Sequence, residues 1–256
     1  MRFASLGSGS RGNATLIEAG GTRLLVDCGF SARETEQRLA RLGVAADTLD
    51  ALLVTHEHGD HIRGVGAMAR RYQLPVWMSA GTRRSHRCGD LSRLHSFSPN
   101  QPPFMIGGIQ VTPFPVPHDA RETMQFTFSA NRLKFGMLTD SGAVTPHIVE
   151  LLQGCDALML ECNHDYSMLA NGPYPPKLQA RVGGRLGHLS NHQAADLLRR
   201  IDHGRLRHLM AAHLSEKNNT PQLARQALLD VSQRLEACLT ISEQNKPTDW
   251  LEISPC

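Results

Sequence analysis

Residues 56–61 read His-Glu-His-Gly-Asp-His, and His56, His58, Asp60 and His61 are all of the types that bind divalent metals. So many donors packed so tightly exceed what one ion needs. In extended chain, alternate residues point the same way, so His56 and His58 can share one ion while Asp60 and His61, beyond the Gly59 bend, turn towards a second. The remaining ligands should stand at other strand ends. His118, Asp140 and His213 occupy such positions, each just after an apolar segment. Three histidines for one ion, two histidines and an aspartate for the other, and a bridging carboxylate would leave both ions open to water and substrate. Such ligands suit Zn, Mn and Fe alike, so the expected cofactor is two divalent ions per chain, of one of these metals.

The elements that must position these residues are short strands interspersed with helices. Strands are predicted over 2–6, 15–18, 23–27 and 51–55, the last running straight into His56. Ser31 with Glu34 forms a capping box that opens a helix through Leu42, closed by Gly43. A second round follows, with strands over 109–114, 124–129 and 133–138 and a helix started by Thr145-Pro146 and stopped by Gly154. Segments 157–161 and 206–211 are apolar on both faces, as strands covered on both sides must be. Ser190 with Gln193 caps a helix over 191–201, and Thr220-Pro221 starts one expected to reach about Glu236.

With 41% hydrophobic residues, no repeat and no linker-like segment, the chain reads as one domain over 1–256. No apolar run suits a membrane span and no secretion signal is evident at the N-terminus, so a cytoplasmic protein is expected. The cysteines at 28, 88, 155, 162, 238 and 256 are dispersed without a CxxC pair, which fits buried reduced thiols. A net charge of +3 is too weak to argue for nucleic acid by itself. The composition stands out instead in its 13 histidines, against three tyrosines and two tryptophans.

Asp27, the HxHxDH loop at 56–61, His118, Thr139-Asp140-Ser141-Gly142 and Ala212-His213 resemble, in order and rough spacing, the metallo-β-lactamase superfamily. The resemblance implies an α/β (α+β) fold, an αβ/βα sandwich of two mixed sheets flanked by helices. It implies that His56, His58 and His118 bind the first metal and Asp60, His61 and His213 the second, with Asp140 as the bridge. Asp27 would be the buried carboxylate that orients the ligand loop. Asp140 stands where the β-lactamases proper carry Cys or His, and His58 where flavo-diiron proteins carry Glu, so neither branch fits. The segment DALMLECNHD at 156–165 followed by GHLSN at 187–191 is similar to the ribonuclease Z pattern. Together with GSGSRGN at 7–13 and AHLSEKNN at 212–219, it resembles more closely the YycJ-type (WalJ-type) hydrolases, a group linked to DNA exonuclease activity. The stretch between Asp140 and His213 is too short for an inserted β-CASP domain, and no ribonuclease Z arm is evident.

A phosphodiester substrate agrees with this chemistry, because two metals can clamp a phosphoryl group while one activates the attacking water. Asp60 can orient that water or take its proton. The leaving oxygen needs a donor: His188, held by Glu161, comes first and His164 second, unless both only hold neighbours in place. Ser190 and the helix it caps could bind phosphate. Lys177, Arg181 and Arg185, on the Pro-rich connection into the site, and Arg83, Arg84 and Arg87 could follow a nucleic-acid backbone. The Gly-rich turn at 8–13 reads as a hairpin beside the site, since no helix follows it. The leading expectation is therefore a two-metal phosphodiesterase, an exonuclease-like enzyme with DNA as favoured substrate. The alternative is a small-molecule hydrolase of a thioester, lactone or cyclic phosphodiester. A metal-holding scaffold without catalysis is a third reading, against which the intact ligand set argues.

Overall fold

Strands apolar on both faces need cover on both sides, and this chain supplies it with four layers. A computed structural model describes residues 1–85 and 87–254, so Cys256 lies outside the described residues. The first sheet contains β1 (Arg2–Gly7), β2 (Ala14–Ala19), β3 (Thr22–Val26), β4 (Ala51–Val54), β5 (Val76–Ser79) and β6 (Leu94–Phe97) in sequence order. The second contains β7 (Phe104–Ile106), β8 (Ile109–Pro115), β9 (Met124–Ala130), β10 (Leu133–Leu138), β11 (Ala157–Glu161), β12 (His208–Ala212) and β13 (Leu239–Ile241). The last strand, β14 (Leu251–Glu252), pairs antiparallel with β1 at the edge of the first sheet.

Strand periodicity assigns each side chain to a layer. In β4, Ala51 and Leu53 face the core between the sheets, whereas Leu52 and Val54 face the first sheet's outer core. In β11, Ala157 and Met159 point inward and Leu158 and Leu160 outward. Between the sheets, Phe3 stacks on Phe135 at 4.2 Å, and Phe126 and Phe128 fill the space beside them. The helices are α1 (Ala32–Arg41), α2 (Gly59–Ile62), α3 (Val65–Tyr72), α4 (Ala80–Ser85), α5 (Pro146–Leu151), α6 (Tyr166–Asn171), α7 (Pro176–Val182), α8 (Asn191–Arg200) and α9 (Pro221–Leu229). The first outer core takes Leu39 of α1 and Met68 of α3; the second takes Ile148 of α5, Leu197 of α8 and Leu228 of α9. No described helix is long and apolar enough to cross a membrane, and Cys28, Cys155, Cys162 and Cys238 are free thiols.

Two expectations shift. The helix from Thr220 ends at Leu229, and a 3₁₀ turn over Gln233–Cys238 follows. Asp230, Val231 and Ser232 are poor helix formers, and the chain must turn there to lay β13 parallel to β12. Gly59 makes no special bend: it is the first residue of α2, and a Cβ there would meet nothing within 4 Å. Asp60 and His61 leave the extended register of His56 and His58 because the chain becomes helical, and the His61 ring comes back to within 4.1 Å of that of His56.

β3, β4, β5 and β6 run parallel, as do β10, β11, β12 and β13, so strand C-termini collect at common sheet edges. There the loop after β3 packs on the loop after β4. Cys28 N–H donates to His61 O at 2.8 Å, and Asn13 N–H to Asp60 O at 2.8 Å. Gly29 sits in this contact, where an added Cβ would lie 1.7 Å from the Asp60 carbonyl oxygen. Gly29→Ala should therefore destabilise the fold by about 1–3 kcal/mol through overpacking, whereas Gly59→Ala stays within about 0.5 kcal/mol. Urea unfolding of both variants checks this; equal midpoints would show that the loop contact yields without cost.

Candidate metal centre

Three residues at this edge carry backbone conformations that side chains disfavour. Asp27, Asp140 and His213, each at or just beyond a strand end, have φ of 60°, 51° and 56°. Left-handed backbone at non-glycine residues persists only where the surroundings hold it, and here it aims Asp140 and His213 into one cleft and Asp27 at His61 behind it.

The seven candidate ligands meet there. Ring nitrogens of His56, His58 and His118 form one group: His56 Nε2 lies 3.0 Å and His118 Nε2 3.3 Å from His58 Nδ1. Asp60, His61 and His213 form a second, with Asp60 Oδ2 3.5 Å from His61 Nε2 and 3.8 Å from His213 Nε2. Asp140 stands between, its Oδ2 3.3 Å from His61 Nε2 and its Oδ1 4.0 Å from His118 Nε2.

Each imidazole is held from behind. His61 Nδ1 donates to Asp27 Oδ2 at 2.8 Å, and His213 Nδ1 to Glu161 Oε1 at 2.9 Å. His118 Nδ1 donates to the Gly187 carbonyl at 2.9 Å. His56 Nδ1 meets Thr55 Oγ1 at 2.9 Å, and that hydroxyl donates to Asp27 Oδ2 at 2.8 Å. His58 Nε2 faces Asp119 Oδ1 at a longer 3.6 Å. With the outer nitrogen protonated, the inner nitrogen of each ring is a free lone pair, the form a metal requires.

Without a cation, the buried carboxylates instead favour the protonated ring at His61 and His213. Burial opposes charge on His61, yet Asp140, Asp60 and Asp27 outweigh it and hold the pKa well above the ordinary value. Burial likewise opposes charge on His213, but Asp140, Asp60 and Glu161 lift it to about 10. Burial pushes His56 and His118 down, His56 with help from the charge on His61. Asp140 and Asp60 lie far below the usual carboxylate range despite burial, drawn there by His213 and His61. Burial lifts Asp27 against the pull of His61. Two buried atoms at the centre, Asp140 Oδ2 and His213 Nε2, have no hydrogen-bond partner. Unpaired polar atoms in a buried, carboxylate-rich cleft fit divalent cations, which satisfy lone pairs and neutralise charge together.

The other sequence candidates divide. His188 lines the cleft, its Nδ1 bonded to Glu161 Oε1 at 2.8 Å, and its ring lies 5.1 Å from those of both His118 and His213. Glu161 is wholly buried, and His188 and His213 hold its carboxyl at about 2 against the effect of burial. His164 is placed elsewhere: it is fully buried, does not line the cleft, and burial lowers it to about 4. Ser190 is also fully buried. Its oxygen accepts from Gln193 N–H and its own N–H donates to Gln193 Oε1, so the capping box occupies it and it does not reach the cleft. Arg181 lines the cleft, whereas Lys177 and Arg185 are exposed nearby on the same segment. Arg83, Arg84 and Arg87 are exposed and do not line it. The helix that carries Arg83 and Arg84 is tied to the ligand loop by Thr82 and Glu57, 3.4 Å apart.

Three residues were not legible beforehand. Asp119 faces His58, lies 3.5 Å from His118 Nε2, and accepts from Arg181 Nε at 2.5 Å. A carboxylate directly after a ligand was the available signal. Asn13 and Ser8 sit in the hairpin turn. Asn13 Nδ2 lies 3.1 Å from His61 Nε2, and Ser8 Oγ accepts from His213 N–H at 2.9 Å. The turn reads as a hairpin beside the site, but its residues do not announce these contacts, which span 48 and 205 positions.

A family model described as the beta-lactamase superfamily domain matches residues 22–213. Exodeoxyribonuclease YycJ of Bacillus anthracis is 36% identical over 244 residues, covering 92% of this chain and 89% of that protein. Exodeoxyribonuclease WalJ of Streptococcus pneumoniae is 34% identical over 255 residues, covering 97% and 94%. Among solved structures, the metallo-beta-lactamase fold protein YhfI from Bacillus subtilis aligns with a TM-score of 0.76 over 96% of this chain and 98% of that one. Its 18% identity speaks to the fold alone. Sequence likeness along nearly the whole chain and a shared sandwich lead to one assignment: this chain belongs to the beta-lactamase superfamily and, within it, to the YycJ/WalJ group.

Proposed function

We propose that this protein is a metal-dependent phosphodiesterase that degrades nucleic acid, acting on DNA from an end, with two divalent ions of Zn, Mn or Fe per chain. The observation that carries the reading is His188, an imidazole pinned by a buried carboxylate and seated between the two ligand groups. An alkoxide leaving group needs a proton, whereas the thiolate leaving a thioester does not, so this arrangement favours an oxygen ester over a thioester, and the names of the YycJ and WalJ relatives favour the ester of phosphoric acid. The names of the YycJ and WalJ relatives support DNA and removal of terminal nucleotides.

His56, His58, Asp60, His61, His118, Asp140 and His213 would hold the ions, which would supply Lewis acidity to the phosphoryl oxygens and a lowered pKa to the attacking water. The protein's residues do the rest. Asp60, part of the cleft wall, orients that water and accepts its proton. Glu161 keeps the His188 Nδ1 proton directed at itself, which leaves Nε2 as the nitrogen that delivers a proton to the departing oxygen. Arg181, Lys177 and Arg185 meet the phosphate backbone. Between Asp140 and His213 the chain builds α5, β11, α6, α7, α8 and β12 of the sandwich itself, so the grip on a polymer comes from the surface of a single domain.

Elemental analysis after reconstitution should find two ions per chain. Asp140→Ala should lose both and His213→Ala mainly one; saturation of the wild type at one ion would count against the bridge. Protons on His61 and His213 must leave as metal enters, so uptake at pH 7 should release protons into weakly buffered solution. The sign of the metal-free pH dependence follows from His213, whose pKa is about 10 folded and about 6.5 unfolded. Its stabilisation is complete below about pH 6.5 and disappears as pH rises through about 10. The Tm of chelator-treated protein should accordingly fall over that interval, while metal affinity rises with pH.

On end-labelled single- and double-stranded DNA, RNA and a thioester, nucleotide release from polymer is expected, with binding that weakens steeply as salt rises. Good thioester hydrolysis with every polymer intact would overturn the proposal. His188→Ala should retain both ions and near-normal substrate affinity, yet lose about 10²–10⁴ in kcat on natural phosphodiesters. A nitrophenolate leaves without protonation, so the variant should cleave a nitrophenyl ester almost normally. Equal loss on both would make His188 a positioning residue.

A further inference from the structure

We propose that the segment Pro173-Tyr174-Pro175-Pro176 and α7 form a binding wall for the base of one nucleotide beside the metal centre, with Tyr174, Leu178 and Val182 as its apolar face. This deepens the phosphodiesterase reading and rests on it. No residue of α7 is buried, which is unusual for a helix with apolar side chains at positions four apart. Leu178 and Val182 share one helical face with Arg181, and all three line the cleft of about 390 Å³ together with Tyr174, Asp60, Asp119 and His188. The apolar stripe of this helix is thus directed at the catalytic cleft rather than at a core.

The wall is held in place. Arg181 Nε donates to Asp119 Oδ2 at 2.5 Å, so the helix is tied to the carboxylate that faces His58. Behind it, the His188 N–H donates to the Val182 carbonyl at 2.9 Å. Gly142, two residues after Asp140, packs so closely that a Cβ would lie 2.4 Å from the Arg185 carbonyl. Prolines on both sides of Tyr174 restrict its backbone, which lowers the entropy lost when a flat ring stacks on it.

The chemistry selects the occupant. A half-buried tyrosine ring, two aliphatic side chains and an adjacent guanidinium suit a planar heterocycle joined to a phosphate, and the cleft has room for one nucleotide rather than several. Sequence tolerance follows, because every base presents a π-face and the wall offers no hydrogen-bonding code.

The test compares thymidine 5′- and 3′-(4-nitrophenyl) phosphates with methyl 4-nitrophenyl phosphate on metal-loaded enzyme. The preferred nucleoside ester should have a KM at least about tenfold below the methyl ester. Tyr174→Ala should erase that advantage and Tyr174→Phe should restore it, read as the ratio of kcat/KM between the nucleoside ester and the methyl ester. Leu178→Ser should act like Tyr174→Ala, which guards against a variant that fails to fold. No preference in the wild type, or an equal loss on both esters, overturns the wall. If no ester is hydrolysed at all, the phosphodiesterase reading fails instead. Equilibrium dialysis of dTMP against inorganic phosphate then decides the wall by itself: equal affinities refute it, and a dTMP preference lost in Tyr174→Ala sustains it.

Discussion

A carboxylate buried in a protein interior must be surrounded by donors, and Asp27 and Glu161 are surrounded by the residues that shape the cleft. Asp27 closes β3 in the first sheet and holds His61 and Thr55, which in turn meets His56. Glu161 closes β11 in the second sheet and holds His213 and His188, as well as the N–H groups of Ser141 and Leu189. Each sheet thus contributes one acid that fixes the inner lone pairs of its histidines. Either acid, if neutralised or moved, would leave rings free to turn, and a metal site tolerates little rotation of its ligands.

Glu161 does more than orient. A single oxygen, Oε1, accepts from both His213 and His188, so the candidate ligand and the candidate proton donor share one partner. A cation held by His213 would therefore be felt at His188 through a common acceptor. The remaining oxygen is tied to two backbone donors, so Glu161 cannot shift towards one histidine without breaking bonds to the other or to the chain. His188 and His213 are mechanically one unit.

The construction also explains why the rim is less well buried than the base. The candidate ligands of the base hang on strand ends inside a packed sandwich, whereas α7, with Tyr174 before it, is held by Arg181 on Asp119, by Gln179 on the Ala170 carbonyl and by the Val182 carbonyl on His188. Rigid ligands and an exposed wall are the division expected when one part must hold geometry and the other must meet substrate.

Local chemistry made much of this readable in one dimension. The HxHxDH loop declares a ligand cluster because its donors are neighbours in the chain, and the strands before His56 and His213 declare themselves by apolar content. Capping residues Ser31, Thr145, Ser190 and Thr220 mark helix starts correctly because a cap is satisfied within three residues. Short elements such as β5, β6, α6 and α7 carry too few residues for a period to show, and α9 stops early because β13 must reach its parallel place. Ser190 was misread for a related reason: its local signal is a cap, and only packing shows that the cap is buried away from the cleft. Asp119, Asn13, Ser8 and the tyrosine wall depend on distances between segments remote in sequence. The sequence by itself determined which residues can bind metal and on which strands they ride. Only the tertiary structure decided that Glu161 also stands behind His213, the Gly187 carbonyl behind His118 and Asp119 opposite His58, because those contacts join segments more than fifty residues apart, which no local pattern encodes.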